Sequence, residues 1–149
     1  PLEAFVNCSG PENWAYNRMV RHLALDAGCR PRSWSETQWT AYLLDRAKAA
    51  LQHAFAFVGL EERRRESEVL FERTFRLSFL SLAKEYHAQS TDAAVAQLPR
   101  PLREKIRLGN WADLQLYRFA QTLFHRRLHA IVGPQHSPLA PKRAVQQRM

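Results

Sequence analysis

A short apolar run, Phe55-Ala56-Phe57-Val58, stops at Gly59 and gives way at once to a charged segment. That segment becomes amphipathic by Val69-Leu70-Phe71 and Phe75. Residues 55–79 therefore read as a buried strand, a turn and an amphipathic helix, with the rest of the chain placed around that unit. Glu61 and Glu62 fall in the first helical turn, where negative charge meets the positive end of the helix. Glu61 to Arg65 and Glu72 to Arg76 are favourable i,i+4 pairs. Leu70, Thr74 and Leu77 line one side, and Phe71 and Phe75 the next. This helix is expected to start exposed and end buried. Arg63-Arg64-Arg65 reads as a solvated face.

The flanking segments are helical. Residues 14–27 place Val20, Leu23 and Ala24 on one face, with Gly28 as a stop. After the Arg30-Pro31-Arg32 break, Ser33 or Ser35 can cap a second helix that carries Glu36 in its first turn. Trp39, Tyr42, Leu43, Ala47, Ala50 and Leu51 recur at helical spacing to about His53, a core stripe and not a ligand platform. Residues 77–82 alternate well enough for a second short strand, and residues 83–98 are irregular. Pro99 and Pro101 frame a short basic helix over 102–108, closed by Gly109. Asn110 then caps the longest helix, 111–132. Leu114, Tyr117, Phe124, Leu128 and Ile131 make its stripe, widened by Leu116, Ala120 and Leu123. Gly133-Pro134 ends it, and residues 133–149 read as a disordered, basic, Pro-rich tail.

A chain of 149 residues with 46% hydrophobic content suffices for one globular domain with a sizeable core. No apolar run approaches the roughly 20 residues of a membrane-spanning helix. The chain opens on Pro1, so an upstream segment is expected. The net charge is +8, and 18 of the 22 basic residues are Arg, since the lysines are Lys48, Lys84, Lys105 and Lys142. Arg presents a planar fork that grips sulfate, phosphate and carboxylate at two points. An anionic partner follows (nucleic acid, a nucleotide or an acidic polysaccharide), unless the scattered Arg residues reflect composition alone.

Cys8 and Cys29 admit one disulfide in an exported protein or two free thiols in a reducing compartment. Asn7-Cys8-Ser9 fits the N-glycosylation tripeptide. There is no Walker loop, GxGxxG, HExxH or nucleophile elbow. His125 and His129 stand i,i+4 without a third ligand, so no metal is expected. From the residues alone the chain is mostly helical and basic, and its chemistry stays open.

Three blocks go further. Phe57-Val58-Gly59-Leu60-Glu61-Glu62 and Leu70-Phe71-Glu72-Arg73-Thr74-Phe75-Arg76-Leu77 resemble the late part of the heparan-sulfate 6-O-sulfotransferase family. There, Phe-x-Gly-Leu-Thr-Glu precedes Leu-Phe-Glu-Arg-Thr-Phe-x-Leu. Glu3-Ala4-Phe5, Cys8 and Asn17-Arg18-Met19-Val20-Arg21 resemble its Glu-Phe, Cys and Asn-Arg-x-Val-Arg segment, and Cys29 falls where the family has a second cysteine. Asp113-Leu114-Gln115-Leu116-Tyr117, Ala120 and Leu123-Phe124 resemble its final Asp-x-x-Leu-Tyr-x-x-Ala-x-x-Leu-Phe helix. The resemblance spans roughly residues 2 to 130.

The resemblance implies an α/β fold: a partial P-loop-like sulfotransferase domain, mostly helical here, with one or two short strands. Residues 1–132 would be the C-terminal portion of that domain. The implied activity is transfer of sulfate from 3'-phosphoadenosine-5'-phosphosulfate to a sugar hydroxyl of an anionic polysaccharide. The donor loop and catalytic base belong to the family's earlier half, so these residues alone are expected to be inactive. Asn17, Arg18 and Arg21 are the implied acceptor contacts, unless they simply fix their helix through ion pairs. Ser90 and Thr91 match a Ser-Thr-Arg loop near the nucleotide, although Asp92 stands where Arg is expected. The resemblance favours a Cys8–Cys29 disulfide, Golgi lumenal residence and a type II membrane anchor outside this stretch. No metal or nucleic-acid partner is implied. The alternatives are a basic helical binding module for nucleic acid or protein, and a non-catalytic sulfotransferase remnant.

Overall fold

The computed structural model describes residues 16–25, 28–78 and 95–133. Its helices are α1 (Arg18–Leu23), α2 (Glu36–Ala49), α3 (Arg64–Phe75), α4 (Arg100–Gly109) and α5 (Trp111–Val132). Helices α1, α2, α3 and α4 each pack on α5, and α1 also packs on α2. The hub is therefore α5, and the stretch over residues 55–79 is one of the elements placed around it.

Helix α2 starts on Ser35. Its Oγ accepts from the Gln38 amide at 3.2 Å, while Gln38 Oε1 accepts from the Ser35 amide at 2.8 Å. This reciprocal box satisfies amides that a first helical turn leaves open. The expected stripe of α2 is buried at Trp39, Leu43 and Ala47. It continues through a π-turn, Ala50–Ala54, which buries Ala50 and Leu51. Facing it are Val20 and Ala24 on one side and Ala112, Leu116, Ala120 and Leu123 of α5 on the other. Tyr42 stacks on Trp39 with ring centroids 5.3 Å apart, and Trp34 meets Tyr42 edge-on at 5.5 Å. A second cluster joins Leu60 and Leu70 to Phe124 and Leu128.

No strand forms among the described residues. The backbone is extended at Phe55 and at Leu60, yet an extended segment needs a neighbouring ladder to become a strand. Here, among the described residues, a side chain takes the place of a ladder at Leu60. Ser67 Oγ accepts from the Leu60 amide at 2.9 Å and donates to the Leu60 carbonyl at 3.0 Å. Leu77 and Ser78 are irregular, and the remainder of the expected second strand lies outside the described residues. So does the tail from residue 134 onward. The α/β expectation is thus met in its helical part, and the described residues contain no sheet.

Three packing expectations change. Leu70 is 1% exposed but Phe75 is 43% and Leu77 57%, so α3 buries its middle and not its end. On α5 the buried line runs through Leu116, Ala120, Leu123 and Phe124, while Leu114 and Ile131 are exposed. Helix α1 stops at Leu23, well before Gly28. Arg46 of α2 holds that end, donating to the carbonyls of Ala24 at 3.4 Å and Leu25 at 2.8 Å. Along α3 the ion pairs include Arg63–Glu66 and Arg64–Glu68.

Candidate functional site

The site grows from the joint between α1 and α5. Asn17 precedes α1 in the left-handed region, φ 53° and ψ 39°, which Asn tolerates better than most residues. Its Oδ1 accepts from the amides of Ala112 at 3.0 Å and Asp113 at 3.3 Å. Its Nδ2 donates to the Gly109 carbonyl at 2.9 Å. In return, the Asp113 carboxylate accepts from the amides of Met19 at 3.1 Å and Val20 at 2.9 Å. Each helix start is capped by a side chain belonging to the other. Asn110, read as the cap of α5, instead accepts from the Asn17 amide at 3.0 Å and donates to Ile106 O at 2.9 Å. It ties the end of α4 to the joint.

Against this joint lies a cleft of about 490 Å³, walled by Tyr16, Arg21, Arg30, Glu36, Thr37 and Trp111 among others. Arg21 Nη2 lies 2.5 Å from Glu36 Oε1, and Arg30 Nη1 lies 3.6 Å from Glu36 Oε2. One carboxylate thus holds two guanidinium groups, which leaves the wall with an excess of one positive charge. Arg21 Nε is buried and makes no hydrogen bond among the described residues. Such a donor costs about 1–3 kcal/mol while unsatisfied. Tyr16 lies over Gly109, where any β-carbon would overlap the Tyr16 ring. The cleft therefore combines fork-shaped cations, a threonine hydroxyl and aromatic faces. That combination suits a carbohydrate bearing sulfate or carboxylate groups.

Of the residues singled out from the sequence, Arg21 lines this cleft and Arg18 is exposed at the start of α1. Asn17 also lines the cleft, 6% exposed and with its side-chain oxygen and nitrogen both engaged in the joint. Ser90, Thr91 and Cys8 lie outside the described residues, and Cys29 is exposed. Sequence reasoning missed Arg30 and Glu36 as cleft residues. Arg30 marked a chain break and Glu36 a helix start, and only the fold brings them to Arg21. His125 and His129 are exposed on α5, and among the described residues no three His, Cys, Asp or Glu side chains gather as a metal site. No helix among the described residues is long and apolar enough to cross a membrane.

A second joint links α5 to the turn before α3. The Tyr117 hydroxyl donates to Glu62 Oε1. Burial raises the Glu62 carboxyl, but hydrogen bonds from Tyr117, its own backbone and Gln121, with Arg63 nearby, outweigh that and hold it below its ordinary value. The same bond raises the Tyr117 phenol, because losing its proton would set two negative charges side by side.

No protein-family model matches the chain. Curated relatives do. The chain is 34% identical to heparan-sulfate 6-O-sulfotransferase 2 of Homo sapiens, over 99% of its own length and 24% of that protein. It is 41% identical to heparan-sulfate 6-O-sulfotransferase 3-B of Danio rerio, over 85% of its length and 30% of that protein. With heparan-sulfate 6-O-sulfotransferase 3 of Homo sapiens the identity is 37%, over 86% of the chain and 27% of the relative. The chain spans about a quarter to a third of the length of these relatives.

Proposed function

The chain belongs to the heparan-sulfate 6-O-sulfotransferase family over the stretch it shares with those proteins, and from that premise we propose that it is the acceptor-side part of a carbohydrate sulfotransferase. The whole enzyme would move a sulfuryl group from 3'-phosphoadenosine-5'-phosphosulfate to a sugar hydroxyl of a heparan-type chain. In this reading residues 1–132 complete a P-loop-like α/β domain from its C-terminal side, and residues 133–149 are a tail. The donor loop and the base that takes the hydroxyl proton lie outside these residues, and Ser90-Thr91 face the donor nucleotide. Golgi lumenal residence, an anchor outside this stretch and a Cys8–Cys29 disulfide complete the proposal. Peptide mass mapping without reductant reads the disulfide directly, and two alkylatable thiols in secreted material would remove it.

The observation that carries the reading is where the family-like blocks meet. Asn17 of one block and Asp113 of another cap each other's helices, and Glu62 of a third bonds Tyr117 of the second. Beside these joints the cleft presents Arg21 and Arg30, whose guanidinium groups share the Glu36 carboxylate. A sulfate or carboxylate on the acceptor would pair with the guanidinium groups that line the cleft. Arg21 is then the acceptor contact, Arg18 is exposed at the start of the same helix, and Asn17 fixes α1 and thereby Arg21.

The test pairs two measurements. The chain alone is expected to bind heparin-derived oligosaccharides and to transfer no sulfate. A protein that joins it to the donor-binding part should sulfate a desulfated heparan acceptor, and Arg21→Ala in that protein should raise KM more than it lowers kcat. Tighter binding to duplex DNA than to heparin would overturn the assignment. Turnover by these 149 residues alone would overturn the division between acceptor and donor parts.

A further inference from the structure

A second groove lies on the other side of the α4–α5 corner. It encloses about 600 Å³ between Val95, Leu98 and α4 on one side and Leu114 of α5 on the other. Its floor is apolar, with Val95 46% and Leu114 38% exposed. Its rim is basic: Arg100, Arg103 and Arg107 line it, with Glu104 as the one acid among the residues that do so. Glu104 is engaged with Arg107 at 3.2 Å, and both side chains stay at least half exposed. Positions 100, 103 and 107 share one face of a helix, and Arg100 and Arg107 are separated by about 10 Å along its axis at 1.5 Å per residue.

The groove and the cleft are neighbours. Arg107 and Asn110 line the groove, while Leu108, Gly109 and Trp111 line the cleft. A ligand crossing the end of α4 passes from one to the other. Building on the acceptor reading above, we propose that the α4 groove is an extended binding track for the same sulfated polysaccharide, holding sugar units that flank the one in the cleft. The chemistry fits on both counts. Pyranose C–H faces suit an apolar floor, and anionic groups spaced along a glycan suit Arg forks spaced along a helix. An acidic polymer would also be steered toward a surface on which positive charge predominates.

Ligand length is the discriminating variable. Binding of heparin-derived tetrasaccharide and dodecasaccharide should be measured by titration calorimetry on the wild-type chain, on R103S/R107S and on a charge-matched control, R73S/R126S. All four positions are exposed, and circular dichroism checks that each variant folds. The expected result is an R103S/R107S protein that keeps tetrasaccharide affinity and loses about tenfold or more in dodecasaccharide affinity, the scale of one or two charge-assisted contacts. An equal loss in R73S/R126S would overturn the track in favour of net charge. Unchanged dodecasaccharide binding in R103S/R107S would also overturn it, while leaving the cleft and the acceptor reading intact. Failure of the wild-type chain to bind either oligosaccharide would overturn both.

Discussion

Asn17 and Asp113 cap each other's helices across a separation of more than ninety positions in the chain. The Asn17 amide oxygen meets the first turn of α5, and the Asp113 carboxylate meets the first turn of α1. Removing Asn17 should cost more than an ordinary surface cap, because it is buried and its loss leaves α5 amides without partners. Asn17→Ala is expected to destabilise by about 2 kcal/mol and Asp113→Ala by about 1 kcal/mol. Denaturant unfolding of both single variants and the double variant checks this. The double variant should lose less than the sum, since the two caps share one joint; strict additivity would mean that they act separately.

The Glu62–Tyr117 bond gives stability a dependence on pH with a defined sign. The folded Glu62 carboxyl lies below its ordinary value of 4.5. Its contribution is present above that value and disappears as pH falls through the folded value. Tyr117 is raised above its ordinary 10.0, so its contribution is present below 10.0 and fades as pH rises through the folded value. Both groups are partly open to solvent, which limits the effect to about 1 kcal/mol or less. Thermal melts of wild type and E62Q between pH 3 and 7 should converge at the acid end and separate toward neutrality. A constant offset across that window would assign the difference to packing instead.

Much of the helical framework is legible in residue spacing, and the joints are not. Ser35, the stripe from Trp39 to Leu51 and the α5 boundaries all follow from local rules of capping and periodicity. Asn17 could not be read that way. Its side chain caps a helix that begins at Trp111, and no local pattern announces a cap so distant in sequence. The extended run at Phe55 fails as a strand for the same reason, since a strand is defined by a neighbour and periodicity names only one partner. In the cleft, Arg21 was reachable through family resemblance. Arg30 and Glu36 become visible only when the chain turns back and sets both beside it.

Glu36 restrains the two cleft cations, so its removal should strengthen anion binding. In Glu36→Gln the Arg21 and Arg30 guanidinium groups no longer face a carboxylate, and the net charge of the wall rises by one. Affinity for a heparin tetrasaccharide is expected to increase several-fold, and the slope of log affinity against log salt should steepen. Arg21→Ala should lower the same affinity about tenfold, within the range for a charge-assisted hydrogen bond. Tetrasaccharide affinity that stays the same in both variants would move the acceptor site away from this cleft.

Arg127 shows that part of the Arg-rich composition serves the fold. From α5 its guanidinium donates to the carbonyls of Leu51 at 3.2 Å, Gln52 at 3.1 Å and Ala56 at 3.5 Å. Those carbonyls lie in the π-turn after α2 and just beyond it, where a helix leaves acceptors open and a cation is favoured. Arg46 does the same for α1. Arg127→Met keeps the aliphatic stem and removes the fork, and should cost about 1–2 kcal/mol, because charged hydrogen bonds to backbone carbonyls, the one to Leu51 part-buried, are lost. Arg127→Lys should recover only part of this, since one ammonium cannot reach three carbonyls in the geometry of a planar fork. Heparin affinity should stay within about twofold in both variants, the scale of removing one charge remote from the site. Hydrogen exchange gives the local readout. The amides of the π-turn and of residues 55–58 should lose protection in Arg127→Met while those of α1 keep theirs, and uniform loss across all helices would refute a local clamp.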